Sequence, residues 1–225
     1  MIQHFKKLIK YEVLDPVVWH SEVKNTYDEW KKRHGLYDDY LEELADIYID
    51  ELKGIKFSDL EFVNNQVIKL SGDIVYRYTR NVVEYHLNKN HKVFFISGSP
   101  EFLVKKMAEK YGVTDYRGSK YILDDNGLFT GDVIRMWKSN NKEMVLNNFV
   151  SEYNIDLSRS YSYGDTLGDY SMLMMTKNPV AFNPNNDLIN TIKNDRELSE
   201  KTQIVIERKD NIYKLNPDVE ILNIE

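Results

Sequence analysis

Three short clusters in the sequence hold residue types that could bind an anion and a divalent cation. The first is Ser97-Gly98-Ser99-Pro100, directly after the apolar run Lys92–Ile96. A hydroxyl at a strand end, then glycine, then proline at a helix start, makes a seat for an anion. The hydroxyl donates one hydrogen bond, and N–H groups at the helix start donate more. The same serines could instead simply cap the helix. The second cluster is Lys142, in the first turn of a helix read from NKEMVLNNF. A lysine there faces the positive end of the helix dipole and gains if an anion sits nearby. The alternative is an ordinary solvated lysine, and Lys138 competes for the same role. The third is Gly164-Asp165-Thr166-Leu167-Gly168-Asp169, after the run SYSY. Two carboxylates four residues apart across a strand-to-helix turn can face one point. Such hard oxygen donors suit Mg²⁺, which takes one or two carboxylates and keeps several waters. Here too the aspartates could do no more than cap the next helix.

These clusters need a sheet and helices to hold them. The chain reads as helical almost throughout its first 90 residues. Asp15-Pro16 marks a break and a helix start, followed by an apolar stripe of Val17, Val18, Val23, Tyr27 and Trp30 up to Gly35. The spacing predicts further helices over 37–52, from Ser58 as N-cap with Glu61 closing a capping box, and from the Ser71-Gly72 break to about 88. From His91 the pattern changes. Lys92–Ile96 reads as a strand buried on both faces, with a helix over 100–111. Tyr121–Val133 reads as a hairpin turning at Asp125-Asn126-Gly127. Then come a helix over 142–153, a strand over 160–163, a helix near 170–176, and strands over 179–182 and 203–207. Strands alternating with helices predict a parallel α/β sheet. The organisation expected is a helical module over 1–90 and an α/β core over 91–225. Ligands on such sheets bind beyond the strand ends, where all three clusters fall.

Composition narrows the function classes. Among 225 residues there is no cysteine, which excludes disulfides, thiolate metal sites and cysteine nucleophiles. That fits a reducing compartment, and a cytoplasmic location is the expectation. Thirty basic and 36 acidic residues give a net charge of −6, against a nucleic-acid role. Lys31-Lys32-Arg33-His34 is the densest basic cluster and reads as a solvated helix end. No apolar run approaches the roughly 18–20 residues needed to span a bilayer. The N-terminal MIQHFKKLIK reads as an amphipathic packing helix, so no membrane partner is expected. Five histidines (His4, His20, His34, His86, His91) show no metal-ligand spacing. Trp19 and Trp30 read as core. Arg77 and Arg80 could reach an anionic substrate or face solvent. Oligomeric state is left open.

Taken in order, the three clusters resemble the motifs of the haloacid-dehalogenase-like hydrolases, in the phosphoserine-phosphatase-like branch. VFFISGSPEFLV resembles the second motif, the LDDNGLFTGDV hairpin with NKEMVLNNF the approach to the third, and YSYGDTLGDYSML the fourth. The resemblance is close over 92–182 and reaches the first 90 residues only as a cap module. It implies a Rossmann-like three-layer core with a parallel sheet and a helical cap. It implies Mg²⁺-dependent hydrolysis of a small phosphorylated metabolite through an aspartyl-phosphate. By position, Asp165 would bind Mg²⁺, and Asp169 would hold the metal's water shell or orient Lys142. Ser97 and the Gly98 N–H would hold phosphoryl oxygens, and Lys142 would neutralise phosphoryl charge.

One part of the pattern is missing. The family's nucleophile is the first Asp of an Asp-x-Asp at the end of a central strand, and no Asp-x-Asp occurs in this sequence. Asp15 follows a run too polar for a buried strand, and Asp124-Asp125 lies after the second motif. The 225 residues alone are therefore expected to be inactive. Either a strand carrying the aspartates precedes Met1, or the chain is a non-catalytic relative that binds a phosphate group or a protein partner. The first is preferred, because a sheet without its central strand folds poorly. A receiver-like signalling domain would need a phosphoacceptor Asp where KVFFISG offers serine.

Overall fold

The computed structural model describes residues 1–221. They form two compact units interleaved along the chain: 1–75 with 93–135, and 76–92 with the chain from 136 onward.

The first unit begins with α1 (Ile2–Lys10), which fully buries Phe5 and Leu8. The Asp15 carboxylate caps α2 (Pro16–Val18) by accepting from the Val17 N–H at 2.8 Å, with Pro16 in the first position. The helix runs on through a π turn, Trp19–Val23, into α3 (Lys24–Lys32). It stops where Arg33 turns left-handed at φ 69, two residues before the expected Gly35. In α4 (Tyr37–Leu52), the helical spacing of Tyr40, Leu44, Tyr48 and Leu52 puts all four rings and chains in the core. Each such burial is worth roughly 1.5–3 kcal/mol. Trp19 and Trp30 pack with Tyr27 and Tyr40 against this core, as expected. Ser58 does not cap the next helix. It sits inside a 3-10 turn, Phe57–Leu60, and bonds Asp59, so α5 (Glu61–Ser71) starts without a side-chain cap.

The same unit holds a three-stranded sheet in the order β1-β2-β3. β1 (Phe94–Pro100) runs parallel to β2 (Asp115–Leu123), joined by α7 (Glu101–Tyr111), and β2 pairs antiparallel with β3 (Phe129–Ile134). At the β2–β3 turn the Asp124 carboxylate accepts from the N–H groups of Asn126 and Leu128, and Gly127 takes φ 78. The strand expected at 92–96 thus begins later and runs through the serines. It is half-buried along 94–99, not buried on both faces, because β1 is an edge strand of its sheet.

The second unit holds α6 (Arg77–Asn88), α8 (Ser139–Tyr153), β4 (Tyr161–Gly164), α9 (Tyr170–Met175), β5 (Asn178–Phe182), α10 (Asn186–Asn194), α11 (Arg196–Lys201), β6 (Gln203–Arg208) and β7 (Asn211–Leu215). Its sheet has the order β4-β5-β6-β7, parallel up to β6 and antiparallel at β7. β5 is buried from Pro179 to Phe182, while β4 lies at the edge. The Glu207 carboxylate on β6 caps α6 by accepting from the N–H groups of Arg77 and Tyr78 at 3.1 and 2.8 Å. Asn185 and Asp195 cap α10 and α11. These two helices and β7 were not expected from the sequence. The chain is therefore a mixed α/β fold with parallel strands.

Candidate functional site

In the second unit, β4 delivers Gly164 to a tight loop that returns as a 3-10 turn, Leu167–Asp169, and then α9. Asp169 is only 4% exposed. Its Oδ2 accepts from the N–H of Asp165 at 3.0 Å, from the N–H of Thr166 at 3.3 Å and from Thr166 Oγ1 at 3.5 Å. Its Oδ1 accepts from Lys142 Nζ at 2.5 Å, and Lys142 is itself 7% exposed. Both oxygens of the carboxylate are thereby engaged. A lysine in the first turn of α8 would be unfavourable alone, and the buried aspartate offsets that. The other candidate, Lys138, precedes α8 and is exposed.

Two glycines permit this closeness. A Cβ on Gly164 would lie 2.4 Å from Asp169 Cβ, and one on Gly168 would lie 2.3 Å from the Trp137 carbonyl oxygen. Thr166 and Asp169 also form a capping box, so the loop caps a helix and holds a charge at once. The two aspartates do not behave alike. Asp169 turns inward to Lys142 and the loop amides, whereas Asp165 is exposed.

As a donor set for Mg²⁺, the loop offers one exposed carboxylate, Asp165. Among the described residues no group of three or more His, Cys, Asp or Glu side chains could hold a metal. A single carboxylate suits a cation that keeps most of its waters and takes one or two carboxylates.

In the first unit, Ser97 and Gly98 lie on β1. Ser97 Oγ accepts from the Ser99 N–H at 3.2 Å, which leaves its own O–H to donate. Ser97 and Ser99 do not cap α7, which begins after Pro100 with no side-chain cap. The Gly98 carbonyl accepts from Ser119 Oγ at 2.7 Å, and the Gly118 N–H donates to Glu101 Oε2 at 3.1 Å. So β2 braces the Ser-Gly segment from beside it. Ser119 and Glu101 were not singled out by sequence. Only their contacts reveal them, since a lone serine or glutamate carries no spacing signal.

Other candidates resolve differently. Arg77 is tied to Glu207 and to the Lys209 carbonyl. His86 and His91 meet, Nδ1 to Nδ1 at 2.9 Å, and His86 Nε2 lies 2.9 Å from Tyr163 Oη. Burial and the neighbouring His91 hold the His86 ring below its usual pKa, and burial raises the Tyr163 hydroxyl. No helix among the described residues is long and apolar enough to cross a membrane.

A family model described as haloacid dehalogenase-like hydrolase matches residues 27–174. Among curated proteins, the chain is 27% identical over 128 residues to the inhibition of morphological differentiation protein of Streptomyces azureus, covering 57% of this chain and 46% of that one. It is 24% identical over 135 residues to the phosphoserine phosphatase SerB1 of Mycobacterium tuberculosis, covering 59% and 44%. The chain thus spans under half the length of these two relatives. Among solved structures, a Bordetella pertussis protein of unknown function matches at a TM-score of 0.66 and 16% identity, covering 85% of this chain and 87% of that one. A substrate-bound phosphoserine phosphatase matches at 0.54 and 22% identity, covering 84% and 80%. At such identities these structures establish the fold alone.

Proposed function

Because the chain belongs to the haloacid dehalogenase-like hydrolase family, we propose that it carries phosphate- and Mg²⁺-binding elements of a phosphate-monoester hydrolase of the phosphoserine-phosphatase-like kind. The observation that supports this most is the buried Lys142–Asp169 pair beside the exposed Asp165. Burying two opposite charges is a poor way to gain stability, since desolvation offsets most of the attraction. It is a good way to hold an ammonium ready for an anion. Lys142 neutralises charge on a phosphoryl group, and Asp169 orients Lys142. Asp165 is the carboxylate for Mg²⁺, which when bound neutralises phosphoryl oxygens. The Ser97 hydroxyl and the Gly98 N–H take phosphoryl oxygens. Residues 1–90 serve as the cap that selects a small phosphorylated metabolite, and 91–225 as the α/β hydrolase core. A cytoplasmic setting fits the absence of cysteine.

The sequence contains no Asp-x-Asp to supply the nucleophile, so these 225 residues bind phosphate without turning over its esters. The same absence favours a second reading, a non-catalytic relative that uses its site to bind a phosphate group or a protein partner.

Two assays on the pure chain test the proposal. Incubation with a panel of phosphate monoesters and Mg²⁺ is expected to release no phosphate, and steady turnover would overturn the inactivity. Orthophosphate with Mg²⁺ is expected to raise the melting temperature in a concentration-dependent way, whereas no shift at any concentration would count against the phosphate site.

A further inference from the structure

We propose that Ser139 and Ser171 are positioning residues that hold Lys142 against Asp169, an inference resting on the reading of that pair as the anion-facing part of the site. The Ser171 N–H donates to Ser139 Oγ at 3.0 Å, and Ser171 Oγ donates to the Ser139 carbonyl at 2.8 Å. Ser139 opens α8 one turn before Lys142, and Ser171 follows Asp169 by two residues at the start of α9. The same two segments are therefore joined twice, once by the reciprocal serines and once by the ion pair.

The need for the serine clamp follows from what else holds each partner. Asp169 is fixed by its own loop, through the N–H groups of Asp165 and Thr166. Lys142 has no such local fixture. Its ammonium rides on a flexible four-carbon stem, so its position depends on where the first turn of α8 lies. That turn has no side-chain cap of its own, because Lys138 occupies the cap position. Ser139, which could have served α8, instead satisfies a backbone N–H in the first turn of α9. That N–H has no partner within its own helix. Ser171 is 7% exposed, so its hydroxyl needs a partner, and it finds one at α8. Gly168 completes the contact by letting the Trp137 carbonyl approach closer than any side chain would allow. The clamp thus sets the height of α8 over the loop, and a charge-assisted hydrogen bond is sensitive to that distance.

The test reads the ammonium directly. In the full chain labelled with ¹⁵N-lysine, a buried, paired Lys142 gives a slowly exchanging Nζ signal, assigned by its loss in Lys142→Arg. Ser139→Ala is expected to speed its exchange with water about fivefold, the factor matching the net worth of one hydrogen bond, or to broaden it away. Ser171→Ala, which keeps its backbone N–H, is expected to act in the same direction and supplies the reading if Ser139→Ala does not fold. Ser160→Ala removes another hydroxyl bond of the same unit, to the Asp156 carbonyl, and is expected to leave the Lys142 signal unchanged. An unaltered signal in folded Ser139→Ala and Ser171→Ala, or an equal change in Ser160→Ala, would overturn the clamp. Orthophosphate binding by the wild-type chain is scored separately. Its absence would remove the functional reading and leave the positioning result standing.

Discussion

Each unit buries a polar cluster, and the two clusters are completed differently. In the first unit, His4, Tyr48 and Asn64 are fully buried, with His4 Nδ1 2.7 Å from Tyr48 Oη. His4 Nε2 and both polar atoms of the Asn64 side chain make no well-aligned hydrogen bond, and the Asn64 side chain reaches the His4 ring only as a weak polar contact. In the second unit, Lys142 and Asp169 are charged, and the carboxylate is answered at both oxygens by the ammonium, two backbone N–H groups and a hydroxyl. A neutral group tolerates an incomplete set of partners, whereas a buried charge does not. The care with which Asp169 is surrounded marks it as a held charge, while the first cluster reads as polar groups caught in an aromatic core.

The comparison is broken or sharpened by substitution. The largest effect belongs to Asp169→Asn, which strands the Lys142 ammonium in the interior. Urea unfolding is expected to show a loss of about 3–5 kcal/mol, and a loss below 1 kcal/mol would put the pair on a par with a surface contact. Gly168→Ala comes next, because the new methyl meets the Trp137 backbone carbonyl. The same unfolding experiment is expected to give roughly 1–3 kcal/mol of destabilisation.

Acid acts on the first cluster. Burial holds the His4 ring down to about pKa 3, against 6.5 in the unfolded chain. Folded His4 stays neutral while the unfolded state takes up a proton below 6.5, so stability is complete above that pH and falls as the pH drops toward 3. Between pH 7 and 5 the loss is about 2 kcal/mol, and in His4→Leu this share of the fall is expected to vanish. The smallest effect is Asn64→Leu. Since Asn64 makes no well-aligned hydrogen bond, a leucine of similar volume is expected to lie within about 1 kcal/mol of wild type. A clear loss would mean that Asn64 is satisfied after all.

How much of this the sequence disclosed depended on the range of the interactions. The bounds of helix α4 were readable from the spacing of Leu41, Leu44, Ala45, Tyr48 and Leu52, although Tyr40 rather than Leu41 is fully buried, and the β2–β3 turn was readable from Asp125-Asn126-Gly127, because both rest on contacts a few residues apart. Lys142 and the Gly164–Asp169 loop were readable as a pattern, but not their division of labour. That Asp169 turns inward and Asp165 outward follows from Gly164 and Gly168 admitting close neighbours. Ser58 misled because a capping signature is local and the 3-10 turn at Phe57–Leu60 displaced it. The Ser139–Ser171 and Ser119–Gly98 contacts join residues 32 and 21 positions apart and left no trace in the spacing.

The most direct test of the central claim is a calorimetric titration of the pure chain with orthophosphate, with and without Mg²⁺, alongside Asp165→Asn. Asp165 is exposed, so the variant should fold as the wild type does. Phosphate binding that is strengthened by Mg²⁺ in the wild type, and has lost that dependence in Asp165→Asn, is the predicted result. Binding that ignores Mg²⁺, or is the same in both proteins, would contradict the account.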